Sequence, residues 1–197
     1  GFLPDTWRGG WDSFPLLSAG NFTFNVMDPI KDGGQSSSLA RAETSAVNPF
    51  TVGICRFITR QLATQTIQGM FDVILAISES NIAADFYWKV YVYVTVGETD
   101  VVRGVCLDFE DDAASIFEWP TTVKGTGLPA SQTLTPTVAF AGDRLVVELG
   151  YISRNAVTTS RSGLIRLGAM TSALAGAMFP RSVSLVRLAA SMSARGA

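Results

Sequence analysis

The densest group of residues able to do chemistry is the run LDFEDDAASIFE, in which Asp108, Glu110, Asp111, Asp112 and Glu118 place five carboxylates close together. Carboxylate oxygens at this density suit a hard cation such as Ca²⁺, but the run lacks the glycine and the distal bidentate glutamate of an EF-hand loop. A solvated strand end accounts for the same residues. Two carboxylates about 5 to 9.5 Å apart in a cleft would also serve a glycosidase, with Glu110, Glu118 and Glu148 as candidates. Nothing in their spacing selects one pair over another.

Histidine is absent, which removes the Ser-His-Asp and Cys-His nucleophile systems, imidazole general acid–base catalysis and histidine-held zinc. The two cysteines, Cys55 and Cys106, lie in β-branched runs where a free thiol usually behaves as a small buried hydrophobe. A disulfide between them stays open, but two cysteines make neither a framework nor a Cys₄ zinc site. No GxxxxGK[ST] phosphate loop occurs, and KGTG at Lys124–Gly127 has neither the spacing nor the context of one. Of the lysines, Lys31 and Lys124 fall in expected loops and Lys89 on the outer face of an expected strand. None is placed for desolvation as a nucleophile. The expectation is a non-enzymatic chain without cofactor or metal.

Two patterns point to recognition instead. Tyr87, Lys89, Tyr91 and Tyr93 share one face of an alternating run. Aromatics with polar tips on an outer sheet face suit sugar stacking or a subunit contact, unless loops or the N-terminal arm cover them. In AGDRLVVELGY, Arg144, Val146 and Glu148 share one face while Leu145, Val147, Leu149 and Tyr151 form the other. Arg144 and Glu148 stand about 13 Å apart along an extended strand, so each is expected to pair across to a neighbouring strand.

The elements that position these groups follow from length and period. With 197 residues, 47% hydrophobic and 16% charged, the chain has material for one domain with a real core. Residues 1–49 read as an arm and connector: Trp7, Trp11 and Phe14 sit among Gly and Pro, and only Phe22, Phe24 and Val26 alternate. From residue 50 the period is two. Ile67, Phe71, Val73, Leu75 and Ile77 occupy one run; Phe86, Trp88, Val90, Val92, Val94 and Val96 occupy the next, after a connector too short for a crossover to a parallel strand. Further strands are expected at 50–59, 101–109, 135–140, 144–153 and 161–167, about eight in all. The fold class is therefore all-β, an antiparallel two-sheet sandwich of jelly-roll type over 50–168, with an extended N-terminal arm.

Residues 169–197 fit a short helix or an arm that orders on a partner. Every acidic residue lies at or before Glu148, whereas the charges beyond it are all arginines, Arg181 and Arg187 among them. A basic end and an acidic face favour contact between copies, with direct nucleic-acid contact the lesser expectation. No apolar run reaches the roughly 18 residues that span a bilayer, so no membrane partner is expected.

The order of several short motifs resembles a known group. Arg56-Phe57-Ile58-Thr59-Arg60-Gln61-Leu62, Ile67-Gln68-Gly69, Glu79-Ser80-Asn81 with Ala83-Ala84-Asp85, Val102-Arg103-Gly104 and Gly142-Asp143-Arg144-Leu145-Val146-Val147-Glu148-Leu149-Gly150-Tyr151 look like tailed-bacteriophage and prophage structural proteins, over about residues 50–168. The resemblance implies a β-rich virion component, a capsid decoration or a tail, fibre or collar part, located in the virion with other virion proteins and copies of itself as partners. It brings no catalytic residues. The interface residues expected from the patterns above are Trp7, Trp11, Phe14, Tyr87, Tyr91, Tyr93, Arg181 and Arg187. The reading from another class is a carbohydrate-binding or host-recognition module that stacks a surface glycan on the exposed aromatics.

Overall fold

The computed structural model describes residues 23–26, 37–42, 50–97, 99, 101–111, 117–154 and 160–167. The described part is all-β, with one tight helical turn at Ile82–Ala84. Its strands are β1 (Thr23–Val26), β2 (Ser37–Ala42), β3 (Phe50–Ile58), β4 (Gln65–Phe71), β5 (Ile74–Glu79), β6 (Phe86–Thr95), β7 (Val102–Glu110), β8 (Lys124–Gly127), β9 (Gln132–Ala139), β10 (Arg144–Ser153) and β11 (Ser162–Leu167). They form a five-stranded sheet in the order β1-β3-β10-β6-β7, a four-stranded sheet β2-β11-β5-β8 and a pair β4-β9. All pairings are antiparallel except β1 with β3.

The expected run from Ile67 to Ile77 is two strands, not one. Asp72 and Val73 interrupt it; β4 pairs with β9, whereas β5 lies between β11 and β8. The alternation survives the change of sheet, since Ile67, Phe71, Val73, Leu75 and Ile77 are all buried in one cluster. Hydrophobic period reports which way a side chain points and carries no information about the strand's hydrogen-bonding partner. For the same reason β5 and β6, close in sequence, belong to different sheets. Two more strands, β2 and β8, come from SSLARA and KGTG, which have no apolar alternation. They are held by backbone pairing to β11 and β5.

One core draws on all three sheets. Phe57, Val147 and Val92 stand opposite one another across β3, β10 and β6, as do Cys55, Leu149 and Val90. All six are buried in the same cluster as Phe71, Leu134 and Ile165 from the other sheets. Its densest part is aromatic: Phe86 stacks on Tyr151 at 3.8 Å between centroids, and Trp119 meets Trp88 and Tyr151 edge-on at 5.1 and 5.7 Å. Trp119 is placed by its own N–H, which donates to the carbonyl of Phe86.

Two glycines let chains approach. At the bulge between Leu149 and Gly150 a Cβ on Gly150 would lie 1.9 Å from the carbonyl oxygen of Val52. On β11, a Cβ on Gly163 would meet the Tyr151 ring at 2.6 Å and Trp119 at 3.1 Å. Because rings in a filled core shift only at a cost, Gly163→Ala is expected to destabilise the protein by about 1–3 kcal/mol. Urea denaturation reads this directly, and a wild-type midpoint would mean that β11 is not pressed against the aromatic cluster.

Candidate functional site

The polar residues sit on the opposite face of the five-stranded sheet from that core. Arg56 and Glu148 face each other across β3 and β10, and Lys89 and Glu110 across β6 and β7. Arg56 donates through Nε and Nη2 to Glu148 Oε1 at 3.1 and 2.8 Å, and Tyr93 donates its hydroxyl to the same oxygen at 2.6 Å. All three side chains are fully buried. The expectation that Glu148 pairs across to a neighbouring strand is met, with Arg56 as the partner. Arg144 donates to the backbone carbonyl of Thr59 at 2.7 Å.

Lys89 is buried, contrary to the exposed position expected from its outward parity. Its Nζ donates to Asp108 Oδ1 at 2.8 Å and Glu110 Oε2 at 3.1 Å. Burial alone would lower its pKa, but the bonds to Asp108 and Glu110 outweigh it and hold the ammonium above its ordinary value. Arg154 takes the other Glu110 oxygen at 2.9 Å and also donates to the carbonyl of Asp111. Asp108 and Glu110 thus lie within β7 and are tied to cations. Among the described residues no group of three or more His, Cys, Asp and Glu is set to hold a metal ion.

Glu118 belongs to a different group. Glu79, at the end of β5, and Glu118 each have one buried carboxyl oxygen, Oε1, without a hydrogen-bond donor. Facing carboxyls satisfy each other only if a proton lies between them. Burial pushes Glu79 up to about 7; the Phe86 N–H that donates to its Oε2 at 3.3 Å opposes this, and the charges of Glu118 and Asp85 add to it. Glu118 is likewise raised, by burial first and then by Asp85. Asp85 follows the helical turn in a left-handed conformation (φ 51°), one that Asp tolerates better than most residues. Glu79 is only 2% exposed, so substrate has no approach to it. The arrangement latches the segment carrying Glu118 to the β5–β6 connection; Glu79 N–H donating to the Pro120 carbonyl at 2.9 Å is part of the same latch.

A third polar cluster clamps the turns at one end. Asp143 accepts from Gly97 N–H, Phe140 N–H and the Arg103 guanidinium, which lies over the Phe140 ring. The Arg103 bonds come first among the causes that hold its carboxyl below the ordinary range. Both cysteines are free and buried, and burial raises both thiols, so neither is a thiolate at neutral pH.

Of the residues expected at an interface, Tyr93 is fully buried, Tyr87 is buried at 7% exposure and Tyr91 is half-buried. A ring that sugar cannot reach does not stack on it. Trp7, Trp11, Phe14, Arg181 and Arg187 lie outside the described residues. The Glu79–Glu118 pair went unnoticed in the sequence although a signal was there. Glu79 is the next odd position after Leu75 and Ile77, hence a carboxylate with inward parity. Comparison with protein-family models and with curated proteins finds no match to this chain.

Proposed function

We propose that this chain is a non-enzymatic structural protein of a tailed-phage virion, a jelly-roll-type sandwich that assembles with copies of itself and with other virion proteins through its terminal segments. The observation that carries the reading is the nesting of its strand pairs: β3 with β10, β4 with β9, β5 with β8 and β6 with β7. A long hairpin folded over on itself produces this order, and it is how jelly rolls bury two sheets on one core. β10 lies next to β6, and β11 adds a further strand beside β5. In support, the groups best suited to chemistry are occupied in holding strands together: Glu148 by Arg56 and Tyr93, Glu110 by Lys89 and Arg154. The motif order quoted above supplies the link to phage particles. The burial of Tyr87 and Tyr93 weighs against a glycan platform on this face.

Sedimentation of the full chain over a wide concentration range tests the assembly half of the proposal, and locating the protein in images of intact particles tests the virion half. A defined oligomer and a fixed position on the particle are expected. Single-copy behaviour at every concentration, together with absence from particles, overturns the reading.

A further inference from the structure

Strands β4 and β9 form a sheet of two among the described residues, and their sequences, QTIQGMF and QTLTPTVA, contain no charged side chain. Their inward residues, Ile67, Phe71 and Leu134, belong to the core. The outward ones are in solvent. Thr66, Gln68 and Thr133 are exposed, as are Met70 at 45% and Val138 at 50%, and Ile74 at the start of β5 continues the row at 48%. Register makes these one strip, since Thr66 stands opposite Val138, Met70 opposite Thr133 and Ile74 opposite Gly127 of β8. The one charge along it, Asp72, is half-buried and accepts a hydrogen bond from the Ser131 hydroxyl at 3.4 Å. Apolar side chains gathered on an open face mark a contact surface, whereas isolated ones do not.

We propose that this strip is where two copies of the chain meet, face to face across a two-fold axis near Met70 and Thr133. Charge selects the partner. A two-fold contact sets each residue against the same patch of the other copy, so a face with net charge repels itself and a neutral one does not. The outer face of the five-stranded sheet, by contrast, shows the carboxylates of Asp108 and Glu110 to solvent. An oppositely charged partner would find nothing on the strip to steer it. Methionine is enriched at the centres of interfaces, where charged residues are depleted, and Met70 lies at the middle of the strip. Size sets the strength: a strip roughly 30 Å long and 10 Å wide falls short of the roughly 800 Å² per partner that a stable complex buries. The contact is therefore weak between free copies and fills where copies are held side by side.

The inference rests on the reading that copies assemble, and it adds to the terminal segments a contact made by the sandwich itself.

Disulfide formation in the full chain tests it, with Cys55 and Cys106 buried and out of reach. Met70→Cys places a thiol beside the axis, and Ile82→Cys, on the tight turn at 73% exposure, is the control. Under mild oxidation at equal concentration, Met70→Cys is expected to link copies about tenfold faster than Ile82→Cys, the effect of a raised local concentration. Val138→Glu added to Met70→Cys should bring the rate down to that of the control. Melting curves check that each variant folds, and Thr133→Cys, on the neighbouring strand, repeats the measurement if Met70→Cys does not. Equal rates for strip and turn, or a fast rate that Val138→Glu leaves unchanged, overturn the proposal. Either result leaves assembly through the terminal segments standing, because that reading is tested by sedimentation and particle imaging, which these rates do not enter.

Discussion

Arg56→Met is expected to cost about 3–5 kcal/mol of folding stability, the usual range when a buried carboxylate loses its partner cation. Glu148 is fully buried, and its Oε1 receives Arg56 Nε, Arg56 Nη2 and the Tyr93 hydroxyl. Removing the guanidinium takes two charge-assisted hydrogen bonds from a carboxylate in the layer between β3 and β6. The double variant Arg56→Met, Glu148→Leu is expected to recover most of the loss, because an apolar pair of similar volume carries no desolvation penalty. Recovery should stay incomplete until Tyr93→Phe is added, since the hydroxyl then loses its acceptor, at about 1–3 kcal/mol. Urea denaturation of Glu148→Leu alongside the wild type, Arg56→Met and the double variant closes the cycle and gives the coupling, and the triple variant reads the Tyr93 step. A loss below about 1 kcal/mol for Arg56→Met, the range of exposed pairs, would mean that Arg56 is not what holds the buried Glu148 charge.

The sequence made this pair half legible. Alternation in AGDRLVVELGY turns Glu148 away from Leu149 and Tyr151, and charge chemistry demands a partner on the next strand. Which strand that is depends on register, and register comes from nested pairing between segments some ninety residues apart, here |i−j| of 92. The same limit explains the split at Asp72 and Val73, where in-out parity carries on while the hydrogen-bonded neighbour changes. It also explains why β2 and β8 escaped notice. SSLARA and KGTG pair through their backbones and have no apolar stripe to announce them. Lys89 shows the converse. Its outward parity was readable, but its burial depends on Asp108 and Glu110 arriving from β7, so an exposed reading was the natural one from a single strand. The all-β, antiparallel character and most of the inward residues were therefore accessible from pattern alone, whereas the partners of the polar groups required the topology.

The pH dependence of stability should expose the Glu79–Glu118 latch, and the direction follows from linkage. Glu79 titrates near 7 in the folded chain and near 4.5 when unfolded, so the folded state binds the extra proton between those values. Its contribution is fully present below about pH 4.5 and is lost as pH rises through 7, a change of about 3 kcal/mol at 1.36 kcal/mol per pK unit. For a chain of this size the melting temperature should fall by roughly 6–12 °C across that window. Absence of histidine keeps the window clean, because no imidazole titrates within it. Asp143 acts in the opposite sense: its lowered pKa adds stability that is lost only as pH falls through the acid range. Replacing the carboxyl by an amide separates the latch from everything else. Glu79→Gln keeps an oxygen for the Phe86 N–H and supplies a permanent donor toward Glu118, so the fall of its melting temperature from pH 5 to 8 should shrink to the part that Glu118 contributes, and its melting temperature should exceed the wild type's at pH 8. An unchanged slope in this variant would show that the shared proton is not held at Glu79, and that the segment carrying Glu118 is fixed by the backbone bonds of Trp119 and Pro120 alone.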